Sequence, residues 1–163
     1  PIATETAVAV FDLGTLREVS HYLAGVTWGA EDLPAAVGAA TAREDDGRYT
    51  APYELARSLT LFAAHAAGVA AIDTVFPNIS DEAGLSAYVA RAARDGFTGM
   101  LAIHPSQVKS INAGFTPSPE QIAHAQSIVD AFAANPGAGV LQIGGKMIDA
   151  PHLKAALSIL ARV

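Results

Sequence analysis

Gly96-Phe-Thr-Gly-Met-Leu-Ala-Ile-His-Pro-Ser-Gln-Val-Lys-Ser-Ile-Asn-Ala-Gly-Phe-Thr-Pro-Ser-Pro-Glu120 shows the unit from which this chain is built. Residues 100–103 form an apolar strand that delivers His104-Pro105 to a loop, and a helix follows. Ser118-Pro-Glu-Gln121 then reads as a capping box with proline at the first helical position. It opens a further helix with Ile122, Ile128, Val129 and Phe132 inward. Gly144-Gly145 joins two short strands, residues 140–143 and 146–148, in a turn suited to a two-residue hairpin. Leu153, Leu157 and Leu160 mark a last amphipathic helix.

The strand-then-helix unit recurs toward the N-terminus. Residues 1–5 read as a strand and residues 16–24 as a helix. Residues 25–28 form a second strand that ends in the turn Gly29-Ala-Glu-Asp32. Arg43-Glu-Asp-Asp-Gly-Arg48 reads as a solvated, charged loop. Leu55, Leu59, Phe62 and Ala66 fall on one helical stripe, closed by Gly68. Residues 70–76 are the third strand, and Leu85, Val89 and Ala92 mark the helix after it. This alternation predicts parallel strands joined by right-handed crossovers. Four such units fall short of a barrel, which takes eight strands and roughly 250 residues. A free four-stranded parallel sheet would leave hydrophobic edges exposed.

Composition narrows the function. With 163 residues, 51% of them hydrophobic, the chain can pack one core but is short for two ordinary domains. The absence of cysteine removes disulfides, thiolate catalysis and cysteine-ligated zinc, and suits a cytoplasmic protein. A net charge of −6 argues against a nucleic-acid partner, which needs a basic face. No uninterrupted apolar run is long enough to predict a membrane span. The lysines, Lys109, Lys146 and Lys154, lie away from the first three strand ends, which disfavours a Schiff-base mechanism. Gly144-Gly-Lys146 lacks the first P-loop glycine, and no Gly-x-Ser-x-Gly elbow is present.

Glu5 and Asp32 follow consecutive strands. In a barrel all strand C-termini open on one face, so the two carboxylates would converge there. Two hard oxygen ligands with water in the other positions suit Mg²⁺. The alternatives are a helix N-cap for Asp32 and an exposed strand-end charge for Glu5. Backbone N–H groups of Gly29, Ala30 and Glu31 could hold a carboxylate without a basic side chain, or form an ordinary βα turn. Asp149 precedes Ala150-Pro151, as an N-cap would. His104 either satisfies a loop hydrogen bond or meets a ligand.

Together with Ile2-Ala-Thr-Glu-Thr-Ala7, Trp28-Gly-Ala-Glu-Asp32 and Gly144-Gly-Lys-Met-Ile-Asp-Ala-Pro151, the opening stretch resembles the HpcH/HpaI aldolase and citrate lyase β-subunit family. The resemblance implies the C-terminal half of a (β/α)8 TIM barrel of the PEP/pyruvate type, strands five to eight, with a C-terminal hairpin-helix extension. The chain is then expected to begin in the middle of that fold, with residues 1–117 the half barrel and 118–163 a lid over a neighbouring subunit. By the same resemblance Glu5 and Asp32 are the Mg²⁺ ligands, and Gly29, Ala30 and Glu31 hold the substrate carboxylate. Asp149 is an acid/base group acting in a neighbouring subunit, while His104 and Pro105 line the coenzyme A groove.

The implied protein is a homotrimeric, Mg²⁺-dependent carbon–carbon lyase. It would cleave a 3-hydroxyacyl-CoA thioester, such as citryl-, malyl- or citramalyl-CoA, to a 2-oxo acid and an acyl-CoA. The family's oxyanion-stabilising Arg belongs to an early strand and has no counterpart position here. The alternative, for 163 residues standing alone, is a noncatalytic CoA-binding or structural subunit.

Overall fold

Strand β2, Gly25–Trp28, is buried at all four positions, and the first part of the protein is assembled around it. The computed structural model describes residues 1–163, which divide into two compact units, Pro1–Phe115 and Thr116–Val163. In the first unit β1 (Ile2–Thr4), β2, β3 (Ala70–Asp73) and β4 (Gly99–Met100) lie side by side in that order, all parallel. Thr4 stands opposite Trp28, Val26 opposite Ala71, and Asp73 opposite Met100. Gly25 permits the close approach of β3, because a Cβ there would lie 2.8 Å from Ile72 Cδ1 and 2.9 Å from the Ala70 carbonyl oxygen.

Parallel neighbours require crossover connections, and here these are helical. Helix α1 (Ala7–Asp12) and a 3-10 stretch (Leu13–Tyr22) join β1 to β2. Helices α2 (Asp32–Val37) and α3 (Ala51–Ala67) join β2 to β3, and α4 (Glu82–Asp95) joins β3 to β4. Helix α5 (Pro105–Phe115) follows β4. Val26, Leu61, Ala64, Ala71 and Phe97 form one buried cluster, and Trp28, Leu33, Tyr49 and Tyr53 a second nearer the strand ends.

Several expected elements are shifted. The helix predicted over residues 16–24 is the later part of the tighter 3-10 stretch. Strands predicted over 70–76 and 100–103 stop at Asp73 and Met100. Buried Gln107 replaces the ladder there, accepting from the Ile103 N–H at 2.9 Å and donating to the Phe76 carbonyl at 2.8 Å.

On α3 the stripe of Leu55, Leu59, Phe62 and Ala66 faces outward, with Leu55 59% and Phe62 67% exposed. The buried face is instead Tyr53, Ala56, Arg57, Thr60, Leu61 and Ala64. Ala56, Thr60 and Ala64 let the helix lie close against β2 and β3, and Tyr53, Arg57 and Leu61 fill the space around them.

Arg57 belongs to that buried face because a charge awaits it. Its Nε and Nη2 donate to Asp73 Oδ2 at 2.9 and 2.7 Å, and its Nη1 donates to Asp95 at 2.7 Å. The Arg57 side chain is 3% exposed and that of Asp73 not at all. Burial works against the guanidinium charge, but the bonds to Asp73 and Asp95 override it and hold the group protonated.

In the second unit α6 (Pro119–Ala134) starts on the expected capping box. The Gln121 N–H donates to Ser118 Oγ, and the Ser118 N–H to Gln121 Oε1. The hairpin of β5 (Val140–Ile143) and β6 (Lys146–Asp149) turns at Gly144 and Gly145, whose φ of 55° and 78° are those of a primed turn. Helix α7 (Ala150–Leu160) forms one cluster with α6 and β6 through Ala125, Ile128, Ile148 and Ala156, with Leu153 and Leu160 alongside. Leu157, expected on the same face, is half exposed. No helix is long and apolar enough to cross a membrane.

Removing one partner of a buried ion pair leaves an uncompensated charge, which costs about 3–5 kcal/mol. Asp73→Ala is expected near or above the upper figure, because it also leaves Trp28 Nε1, the Thr74 N–H and the Tyr88 hydroxyl without their acceptor, even though Asp95 still meets Arg57. Urea denaturation checks this, and a loss below about 1 kcal/mol would show the pair to be dispensable.

Candidate active site

The parallel register places the first residues beyond β1 and β2 next to each other. Thr4 and Trp28 are the last paired residues, and the Gly29 N–H extends the pairing by donating to the Thr4 carbonyl at 2.9 Å. Glu5 and Gly29 are therefore neighbours at the strand ends. A Cβ on Gly29 would lie 2.5 Å from Glu5 Cγ and 3.2 Å from Asp32 Oδ2. The two carboxylate side chains thus overhang the space that glycine leaves open. Both residues are exposed, and with Gly29, Ala30, Glu31 and Thr74 they line a cavity of about 80 Å³.

This cradle suits a hard divalent cation. Two carboxylates reach it, and the chain has no cluster of three or more His, Asp or Glu side chains placed to enclose a metal. A site with two protein oxygens and room for water fits Mg²⁺, which retains several waters.

The turn between β2 and α2 is held from beneath. The Ala30 N–H donates to Thr74 Oγ1 at 3.2 Å, and the Thr74 N–H donates to Asp73 Oδ1 at 2.9 Å. Asp73 Oδ1 also accepts from Trp28 Nε1 at 2.8 Å and the Tyr88 hydroxyl at 3.3 Å. Burial, with the Asp73 charge beside it, pushes the Tyr88 phenol far up, so it stays a neutral donor. Of the three expected carboxylate-binding amides, those of Gly29 and Ala30 are thus engaged inside the protein.

The charged segment of residues 43–48 is more ordered than its composition predicts. Arg43 lies over the Tyr49 ring at 4.0 Å, donates to its hydroxyl at 2.7 Å and to the Gly47 carbonyl at 2.9 Å. Tyr49 packs edge-on against Trp28, and burial raises its pKa to about 12. Glu31 sits at the rim of a wider cleft, about 700 Å³, bordered by Arg43, Tyr49, Phe76 and Tyr88.

His104 and Pro105 follow β4 and begin α5, both exposed. His104 Nδ1 accepts from the Ser106 N–H at 3.2 Å and meets Ser106 Oγ at 2.8 Å, which is the loop-bonding role. In the second unit Asp149 ends β6 and caps α7, with its Oδ1 2.5 Å from His152 Nδ1. That bond holds the carboxyl below the usual carboxylate range.

Sequence reading passed over Asp73, Thr74 and Arg57. Asp73 carried a usable signal as another carboxylate at a strand end, but the strand expected over 70–76 concealed it.

Gly29→Ala is expected to lower divalent-cation affinity about 10- to 100-fold by displacing the carboxylates it now accommodates. Electron paramagnetic resonance of Mn²⁺ titrations reads this directly, and unchanged affinity would remove Gly29 from the site.

Residues 2–105 match the HpcH/HpaI aldolase/citrate lyase family. A citrate lyase subunit beta-like protein of Mycobacterium tuberculosis is 38% identical over 138 residues, covering 85% of this chain and 50% of that protein. The mitochondrial citramalyl-CoA lyase of Mus musculus is 38% identical over 155 residues, covering 94% of this chain and 44% of the enzyme. The crystal structure of CitE from M. tuberculosis with magnesium, acetoacetate and coenzyme A superimposes with a TM-score of 0.81 at 34% identity, over 98% of this chain and 59% of that one. This chain spans about half the length of the curated relatives it matches. A parallel α/β architecture, strand-end carboxylates and these similarities agree: the chain belongs to the HpcH/HpaI aldolase/citrate lyase family.

Proposed function

We propose that the protein is a Mg²⁺-dependent carbon–carbon lyase that cleaves a 3-hydroxyacyl-CoA thioester into a 2-oxo acid and an acyl-CoA. The observation that carries this reading is the pair of carboxylates, Glu5 and Asp32, meeting over Gly29. Relatives named citramalyl-CoA lyase and citrate lyase subunit beta, and a structural neighbour holding magnesium, acetoacetate and coenzyme A, support the chemical class. A cytoplasmic homotrimer is part of the same reading.

Glu5 and Asp32 would hold the ion, and Gly29 keeps the space between them clear. Bound there, Mg²⁺ supplies Lewis-acid polarisation of the oxygen on the 2-oxo acid portion. The Gly29, Ala30 and Glu31 turn, pinned through Thr74 to Asp73, orients that portion against the strand ends. By the family resemblance, His104 and Pro105 would line the groove for coenzyme A. As the carbon–carbon bond breaks, the 3-hydroxyl loses its proton to solvent and becomes the carbonyl of the 2-oxo acid. The bonding electron pair is left on the α-carbon of the acyl thioester, to which Asp149 of another subunit would deliver a proton. As a donor Asp149 must first be protonated, which its bond to His152 opposes. Docking against a second subunit would raise its pKa by desolvation.

Three experiments test this on the intact protein. Glu5→Gln with Asp32→Asn is expected to abolish Mg²⁺-dependent cleavage of citramalyl-CoA, and full activity of that double variant in EDTA would overturn the metal assignment. Asp149→Asn is expected to leave the melting temperature unchanged, since Asn caps a helix about as well as Asp, while turnover falls roughly 10²- to 10⁴-fold. Near-normal turnover would leave Asp149 as a cap. Mixing Asp149→Asn subunits with metal-site double variants should restore activity in mixed oligomers, and no recovery would count against action across the interface.

A further inference from the structure

The cavity over Gly29 is rich in acceptors and poor in donors. Glu5, Glu31 and Asp32 line it, and no Lys or Arg does. A 2-oxo acid entering it brings another carboxylate, which needs hydrogen-bond donors as well as a cation. Three side chains in the lining carry a polar proton to offer: Thr27, Trp28 and Thr74. Trp28 Nε1 gives its proton to Asp73 Oδ1 at 2.8 Å. The Thr27 hydroxyl is directed at the Asp73 carbonyl at 3.5 Å. Of the turn's backbone donors, Gly29 N–H goes to the Thr4 carbonyl and Ala30 N–H to Thr74 Oγ1.

Thr74 is different. Its oxygen accepts from Ala30 at 3.2 Å, which uses one lone pair and fixes the oxygen while leaving its own O–H proton to give. The residue is 1% exposed and its backbone is clamped by Asp73, so the hydroxyl is presented with little freedom to reorient. We propose that the Thr74 hydroxyl is the side-chain donor that binds the carboxylate of the 2-oxo acid, while the Ala30 amide it accepts from holds it in place. This rests on the metal site proposed above and adds to it a residue that recognises the acid group.

The test compares the intact wild-type protein with Thr74→Val, which keeps the shape and loses the hydroxyl, and Thr74→Ser, which keeps the hydroxyl. Mn²⁺ binding alone is followed by electron paramagnetic resonance, and pyruvate binding at saturating Mg²⁺ by calorimetry. The Val variant is expected to bind Mn²⁺ within about threefold of wild type but pyruvate about 10- to 100-fold more weakly, the range for a lost hydrogen bond to a charged group. Thr74→Ser is expected within about threefold of wild type for both ligands. Should the Val variant not fold, Thr74→Cys, which lacks the γ-methyl as Ser does but offers only a weak donor, is expected to show the same selective loss.

Pyruvate affinity unchanged in Thr74→Val or Thr74→Cys would overturn the assignment. So would a Ser variant as weak as the Val variant, since any change of side chain at this position, hydroxyl kept or lost, would then be what weakens binding. Failure of the wild-type protein to bind Mn²⁺ is a separate result that overturns the metal site and this proposal together.

Discussion

A carboxylate with no access to water must find a donor for each oxygen, and in this protein that carboxylate is Asp73. Its demands organise much of the first unit. Arg57 is drawn into the buried face of α3, the Trp28 indole is turned inward from β2, and Tyr88 reaches across from α4. Helix α3, strand β2 and helix α4 thus meet on one side chain that contributes no apolar surface. Buried ion pairs gain little over a well-packed apolar core. What this one provides is position: each donor has one place to go, so the strand ends above it are set in a single arrangement.

The exposed chemistry sits directly on that arrangement. Glu5 and Asp32 lie at the surface, yet their meeting point is determined by the parallel register of β1 and β2 and by the glycine between them. Exposed carboxylates on a fixed frame suit a cation that exchanges water and substrate during a reaction. A closed cage of protein ligands would hold the ion more tightly and leave substrate no place on it. The same division of labour applies to the turn, where rigid anchors at Thr4 and Thr74 leave the cavity side free for a ligand.

Much of this was legible in the sequence. Alternating strand and helix patterns gave the order of elements and the parallel sheet, and the capping box at Ser118 and the glycine pair at 144–145 gave the local structure of the second unit. Strand-end spacing brought Glu5 and Asp32 to one face. What sequence patterning could not give is the direction of a stripe when a helix has two candidate faces. On α3 the apolar residues Leu55 and Phe62 look outward because Ala56, Thr60 and Ala64 fit the sheet more closely and Arg57 has a buried partner. Periodicity counts hydrophobicity, whereas helix–sheet packing here selects for small size and for a specific charge. Thr74 was invisible for a related reason, since its importance comes from which donors around it are already committed.

Strand β1 is short, three residues, and pairs in parallel with β2. Glu5 leaves the end of β1, and Asp32 follows the end of β2. A ligand that bridges the two carboxylates is therefore also a clasp between β1 and β2. By mass action, an ion at a hundred times its dissociation constant would add about 2.7 kcal/mol to the stability of the state that binds it. Pairing of β1 with β2 and occupancy of the site are thereby linked, so amide exchange in residues 2–4 would slow as the ion is supplied.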